Sequence, residues 1–271
     1  MSSVTVVIPV KDEAQGLPML FERLTGTAES SPRHEFSFLF VNDGSSDGSD
    51  AILDDLAARH AYVQVIHLSR NFGHQMAVTA GIDHTDSDYV ALIDADLQDP
   101  PELLVEMIGV LEEGHDVVYG QRLDREGETV LKRLTAKLFY RLLSAVTRVE
   151  IPHDTGDFRV MSRNVVQVLQ GMRERHRFIR GMVAWVGFRA RAFPYHREAR
   201  VAGETKYSYS KMLRFALDAL FSFSNVPLQL ANYLGILVAA LGGLGMGYIA
   251  VLEIFYDEYI PGVSPTLFSV L

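Results

Sequence analysis

Asp88-Tyr89-Val90-Ala91-Leu92-Ile93-Asp94-Ala95-Asp96-Leu97-Gln98-Asp99-Pro100-Pro101 runs from an apolar segment straight into carboxylates and a proline pair. Residues 88–93 predict a buried strand, which puts Asp94 and Asp96 at its carboxyl end. In open α/β sheets that edge is where ligands bind. Two carboxylates one residue apart repel unless a cation lies between them, and a hard divalent ion that also holds substrate phosphates takes one or two such oxygens. Asp-x-Asp is therefore a candidate clamp for a metal and a diphosphate. The competing reading is a loop in which Asp99 caps a helix over residues 100–113, with Pro100 in its first turn. That accounts for Asp99 and leaves Asp94 and Asp96 unexplained.

Upstream, strand and helix patterns alternate. Val4 to Pro9 is a β-branched run, followed by helical spacing of Leu17, Leu20, Phe21 and Leu24. Phe36 to Val41 predicts a second strand ending in the Gly- and Ser-rich turn Asn42 to Ser49, and a helix through Ile52, Leu53 and Leu56 comes next. Val63 to Leu68 predicts a third strand, then Ser69-Arg70-Asn71-Phe72-Gly73-His74 leads into a small-residue helix up to Gly81. Downstream, Asp116 to Tyr119 predicts a fifth strand before Gly120-Gln121-Arg122, and a helix carries Leu131, Leu134, Leu138, Leu142 and Leu143. This alternation predicts a mostly parallel sheet with helices on both faces. Thr155-Gly156-Asp157-Phe158-Arg159 reads as a polar turn, 162–169 as a short helix, and Ala184 to Tyr195 as an alternating strand. Neither a Gly-x-Gly-x-x-Gly fingerprint nor a Walker loop occurs, which argues against a dehydrogenase or a P-loop ATPase.

The 271 residues suit one large domain and an appendage. With no cysteine, disulfides and thiolate metal sites are excluded. The amino terminus lacks a basic flank, and its short apolar run stops at Pro9-Val10-Lys11, so it reads as strand rather than signal peptide. The net charge of −9 hides an asymmetry, because Arg173 to Arg214 contains 11 Lys/Arg against 3 Asp/Glu. Such a basic collar suits nucleic acid, anionic lipid or phosphorylated substrates. The residues beyond the collar decide among them. Lys211, Arg214, Asp218 and Ser222 draw a narrow polar stripe along an otherwise apolar helix, which beside the collar reads as interfacial. Leu230 to Leu252 contains no charged residue and reaches the roughly 20 residues that cross a bilayer. Basic residues precede it while Glu253, Asp257 and Glu258 come after it, which places the large domain on the cytoplasmic side of an inner (plasma) membrane.

Asp43 in Val-Asn-Asp-Gly-Ser, Asp-Ala-Asp-Leu-Gln-Asp-Pro-Pro at 94–101, Arg-Asn-Phe-Gly at 70–73, Asp157 in Gly-Asp-Phe-Arg, and Arg-x-x-Gly-x-Thr-Lys-Tyr at 200–207 occur together in this chain. From residue 4 to about 255 the chain resembles family 2 glycosyltransferases of the polyprenyl-phosphate type, which includes dolichyl-phosphate mannose synthase and bacterial undecaprenyl-phosphate glucosyltransferases. The resemblance implies a GT-A (Rossmann-like) catalytic domain over residues 1–205 and a juxtamembrane amphipathic helix over 206–228. A transmembrane helix over 229–254 and a tail over 255–271, or the start of a second span, complete the expected organisation.

By the same resemblance, Pro9, Glu13 and Asp43 line the nucleotide's base and ribose, and Asp94, Asp96 and Gln98 hold Mg²⁺ or Mn²⁺ and the diphosphate. Asp157 faces the transferred sugar or acceptor, Arg200 and Lys206 meet phosphate groups, and Arg122 and Arg133 receive the lipid phosphate. Lys11-Asp12 departs from the aromatic residue and asparagine common in relatives, which bears on the donor base. The implied reaction is inverting transfer of a hexose, glucose from UDP-glucose first among candidates, onto undecaprenyl or a similar polyprenyl phosphate. The implied partners are the nucleotide sugar, the lipid acceptor and the bilayer, with homo-oligomerisation allowed and no nucleic acid. Because a lipid phosphate is already anionic, no strong general base is needed, and Asp157 can orient the sugar or simply form an Asx turn. Arg200 and Lys206 also suit a lipid-headgroup patch. His67, His74 and His153 lack ligand spacing and read as structural or surface residues; Trp185 reads as packing or membrane contact. Four other functions compete: a GDP-mannose-dependent polyprenyl-phosphate mannose synthase, a non-catalytic membrane scaffold, a nucleic-acid binder using the basic collar, against which the acidic body and the spanning helix argue, and a processive polysaccharide synthase, which would want more spanning helices.

Overall fold

The structure is a computed structural model that describes residues 1–123, 155–174, 177–198 and 226–256. The helix expected around Leu131 to Leu143, residues 206–225 of the amphipathic helix expected over 206–228, and Arg133, Arg200 and Lys206 lie outside the described residues. Residues 1–223 and 224–271 form two compact units.

The first unit is a seven-stranded sheet covered on both faces. Its strands are β1 (Ser2–Val10), β2 (His34–Asn42), β3 (Val63–His67), β4 (Tyr89–Leu92), β5 (Val117–Arg122), β6 (Thr155–Ser162) and β7 (Ala190–Tyr195), in the order β3-β2-β1-β4-β6-β5-β7. Six strands run parallel, and β6 lies antiparallel between β4 and β5. Alternation along β1 explains the layering. Val4, Val6, Ile8 and Val10 pack on one face with Leu17, Leu20 and Leu24 of α1 (Leu17–Glu29), Leu53 of α2 (Ser49–Arg59), and Leu104, Met107 and Ile108 of α4 (Leu103–Glu112). Val7 faces the other way, toward Ala77, Val78 and Ile82 of α3 (His74–Asp83), Val165 and Leu169 of α5 (Arg163–Gly171), and Met182 of α6 (Ile179–Trp185). A sheet buried on both faces reads as near-continuous apolar runs, which is what β1, β2 and β4 show.

Two sequence expectations change. Thr155 to Arg159 is not a turn but the start of a fully internal strand. Its polarity misleads because Asp157 and Arg159 are buried with partners of their own, at 1% and 3% exposure. Residues 184–195 are not one strand either: Trp185 ends α6, and pairing begins at Ala190. Gly187, at φ 73°, supplies the left-handed turn between them.

In the second unit, α7 (Val226–Tyr256) contains the apolar stretch Leu228–Leu252, long enough to cross a membrane, with its described side chains largely exposed. It is apolar all round, as a span in lipid is.

Candidate active site

The described site residues of the first unit converge on one edge of the sheet. The parallel strands bring their carboxyl ends there, and β6, being reversed, brings its amino end with Asp157. Two loops at this edge are stitched together. Lys11 Nζ donates to the Gly44 carbonyl at 2.6 Å, and the Ser46 amide donates to Asp12 Oδ1 at 2.7 Å. The Glu13 amide donates to Ser49 Oγ at 3.1 Å, and the Ala14 amide to Asp47 Oδ2 at 2.9 Å. Asp12 itself holds φ 55°, an uncommon conformation that this network fixes. Pro9 is buried in β1 beside Val41, at the base of these loops.

Asp43 ties two loops together: its two oxygens accept the amides of Phe72 at 2.7 Å and Gly73 at 2.9 Å. The loop after β3 is thereby drawn against Gly44, where a Cβ would stand 2.6 Å from the Arg70 carbonyl carbon. His74 then opens α3 and reaches the centre of the site. Its Nε2 lies 2.8 Å from Asp157 Oδ2 and 3.6 Å from Asp94 Oδ1. Asp157 is further held by Arg180, whose Nε and Nη2 donate to its two oxygens at 2.8 and 3.1 Å, and by Gln75 Nε2 at 3.3 Å.

These contacts set the protonation states. Burial opposes charge on Asp157, yet Arg180 and His74 hold it well below the usual carboxylate range. Burial and the neighbouring Asp157, Asp99 and Asp96 carboxylates push Asp94 up to about 6, against the pull of His74. Burial disfavours an imidazolium at His74, but Asp94 and Asp157 outweigh it and lift the group to about 9.

One ligand atom from each of His74, Asp94 and Asp157 lies within 4.8 Å of the others, a group able to hold a divalent cation once His74 gives up its proton. Burial and like-charged neighbours both raise the Asp94 carboxyl, and a metal would relieve them. The carboxylate oxygens suit Mn²⁺ and Mg²⁺, while the imidazole departs from the all-oxygen set that Mg²⁺ takes. Asp94 belongs to this group and to the expected Asp94, Asp96 and Gln98 set. Between Asp96 and Gln98 the loop turns at Leu97 in the left-handed region, φ 59°, with that side chain buried. Asp96 Oδ1 accepts the Gln98 amide at 3.2 Å, Asp96 Oδ2 is 3.6 Å from Arg197 Nη2, and Gln98 Nε2 is 3.4 Å from the Glu198 carbonyl.

Asp99 does not cap a helix. The helix begins at Leu103 after Glu102, with no side-chain cap, and Asp99 is fully buried. Its Oδ1 accepts the Tyr195 hydroxyl and has Arg197 Nε at 3.4 Å and Arg122 Nη2 at 4.0 Å. Burial and Asp99 raise the Tyr195 phenol above its ordinary value, so it stays a donor. Arg122 extends across β6 at Gly156, where a Cβ would meet its Nη2 at 2.5 Å.

Sequence reasoning misses His74, Gln75, Arg180, Tyr195 and Arg197. His74 has no ligand spacing in the chain, and its site role comes from a residue 83 positions away. The basic collar signals Arg180 and Arg197, although not their partners.

Comparison with known proteins points one way. Residues 5–169 match the family model "Glycosyl transferase family 2". An uncharacterized glycosyltransferase, YkcC of Bacillus subtilis, is 45% identical over 96% of this chain and 80% of its own length. The bactoprenol glucosyl transferase of Shigella phage SfX is 35% identical over 99% of this chain and 88% of its own. In fold, the chain is similar to glucosyl-3-phosphoglycerate synthase from Mycobacterium tuberculosis in complex with Mn²⁺, UDP-glucose and phosphoglyceric acid. The TM-score is 0.52 at 18% identity, covering 81% of this chain and 77% of that one.

Proposed function

The chain belongs to glycosyl transferase family 2, and we propose that it transfers glucose from UDP-glucose to a polyprenyl phosphate, with inversion at the anomeric carbon. The observation that carries this reading is the cluster of Asp94, His74 and Asp157 at the sheet's carboxyl edge, in a chain 35% identical along nearly its whole length to a bactoprenol glucosyl transferase. The 25-residue apolar stretch Leu228–Leu252 supports residence in the membrane where such an acceptor lies. The catalytic domain is assigned to residues 1–205, on the cytoplasmic side, with the span over 229–254.

An acceptor phosphate oxygen attacks the anomeric carbon as the bond to the UDP diphosphate breaks. A divalent cation, Mg²⁺ or Mn²⁺, supplies Lewis-acid stabilisation of the departing diphosphate when bound. Asp94 and Asp96 are assigned to hold it with Gln98 or His74. Pro9, Glu13 and Asp43 are assigned to the base and ribose; Asp43 acts by fixing the loop at Phe72 and Gly73. Asp157 is a poor base, since Arg180 and His74 keep it ionised. We assign it to orientation of the sugar and of His74, which suits an acceptor that is already an anion. Arg122 and Arg133 are assigned to the lipid phosphate, and Arg200 and Lys206 to phosphate groups.

The test is a donor screen on membranes containing the chain, with undecaprenyl phosphate, Mn²⁺ or Mg²⁺, and radiolabelled UDP-glucose or GDP-mannose. Label from UDP-glucose should enter an organic-extractable, acid-labile product. Label entering only from GDP-mannose would replace the donor assignment, and none from either would favour a non-catalytic scaffold.

A further inference from the structure

The arginines at the sheet's carboxyl edge differ in how far they are committed. Arg180 makes two hydrogen bonds to Asp157, and Arg159 donates to the Asp157 and Gly156 carbonyls. Arg197 is different. Among the described residues its Nε is buried without a hydrogen bond, and it meets Asp99 at 3.4 Å and Asp96 at 3.6 Å, separations of ion pairing rather than of hydrogen bonding. Its neighbours along the chain, in contrast, are pinned to the acidic loop. Tyr195 is bonded to Asp99, and the Glu198 amide donates to the Gln98 carbonyl at 3.0 Å. The Glu198 carboxylate is gripped by Arg23 at 2.9 and 3.0 Å, and Arg23 also grips Glu102 at 2.8 and 2.7 Å. The backbone is fixed on both sides, while among the described residues the guanidinium is held by ion pairing.

We infer that Arg197 is a diphosphate-binding residue of the donor site, which shares the Asp96 carboxylate with the divalent cation. This rests on the reading of the site as a metal–diphosphate clamp. A guanidinium presents a planar fork of donors that matches phosphate oxygens, and a fork beside Asp96 is placed to take the phosphates that a cation on Asp96 also touches. Toward the metal alone, Arg197 is a competitor, since both need the same anionic oxygen. Toward the metal together with a diphosphate it is a partner, since the phosphates bring the extra acceptors. Asp99, buried beneath with one oxygen unpartnered, is the positioning anchor that keeps the guanidinium at this height.

These two relations have opposite signs, which separates them from a merely structural role. In the full chain in detergent, Mn²⁺ binding without nucleotide is followed by loss of the free-ion EPR signal, and UDP binding at saturating Mn²⁺ by calorimetry. Arg197→Met should tighten Mn²⁺ alone by roughly two- to fivefold, the weight of a partly exposed ion pair, and weaken UDP by roughly tenfold or more, that of a charge-assisted hydrogen bond. Arg197→Lys, which keeps the charge without the fork, should leave Mn²⁺ near the wild-type value and still weaken UDP. Weakening of both ligands by Arg197→Met, or unchanged UDP affinity in a folded variant, would overturn the inference. Wild-type protein that binds UDP equally with and without Mn²⁺ would instead remove the clamp reading and this inference with it.

Discussion

At the scale of the residue, Asp157 is the centre of the site's charge balance. It is 1% exposed and bound at once by Arg180, His74 and Gln75. Removing one member of a buried pair strands the other and costs about 3–5 kcal/mol. Asp157→Asn should therefore lower the unfolding midpoint as well as turnover, and the double change with Arg180→Met should lose less than the sum of the singles. Strict additivity in thermal melts would mean that the pair is not coupled. His74 gives a pH signature. Its pKa rises on folding from 6.5 to about 9, so its stabilising contribution is full below about pH 6.5 and disappears as pH climbs through about 9. With chelator present, wild-type melting temperature should fall across that window, and His74→Gln should lack this component. Asp94 and Asp96 are legible in the sequence because an apolar run ends in them. The Asp157 contacts are not, since sheet order and the reversal of β6 create them. Asp99 misleads for the same reason: a proline pair suggests a cap, whereas its partner, Tyr195, is 96 residues away.

At the scale of the element, α3 links the core to the site, with His74 in its first turn and Gly81 toward its other end. A Cβ at Gly81 would stand 2.2 Å from Val7 Cγ1, so α3 lies on β1 as closely as a glycine permits. Gly81→Ala should destabilise the fold by ~1–3 kcal/mol through overpacking and weaken Mn²⁺-dependent UDP binding, because the helix carries His74 outward with it. Gly26→Ala in α1 is the contrast: nothing lies within 4 Å of its Cβ, so the change should stabilise by ~0.5–1 kcal/mol through helix propensity. Denaturant midpoints compare the two, and equal effects would refute the packing argument. The parallel strands β1, β2 and β4 are readable from their apolar runs, since both faces are buried, whereas the mostly exposed edge strand β7 is not. β6 is not, because two of its side chains are charged and find their partners inside the protein. Antiparallel insertion of β6 is what brings Asp157 to the ligand edge, so the missed strand and the missed contacts are one fact.

At the scale of the whole molecule, the chain combines a compact α/β unit with a helix suited to lipid. The apolar stretch is legible from composition alone, as it needs no tertiary partner. Ending the chain after Phe223 should shift the protein from the membrane pellet to the carbonate-soluble fraction, while UDP binding with Mn²⁺ is retained within a few-fold. Retention in the pellet would assign the membrane contact to the basic collar instead. On the proposed function, the carboxylates at the end of β4 hold the cation on which glucosyl transfer to the lipid depends. The most direct measurement is incorporation of label from UDP-glucose into polyprenyl lipid by wild-type and Asp96→Asn membranes, with and without EDTA. EDTA should abolish wild-type transfer, added Mn²⁺ or Mg²⁺ should restore it, and folded Asp96→Asn should stay at background throughout. Undiminished transfer in EDTA, or by Asp96→Asn, would mean that these carboxylates hold no essential cation.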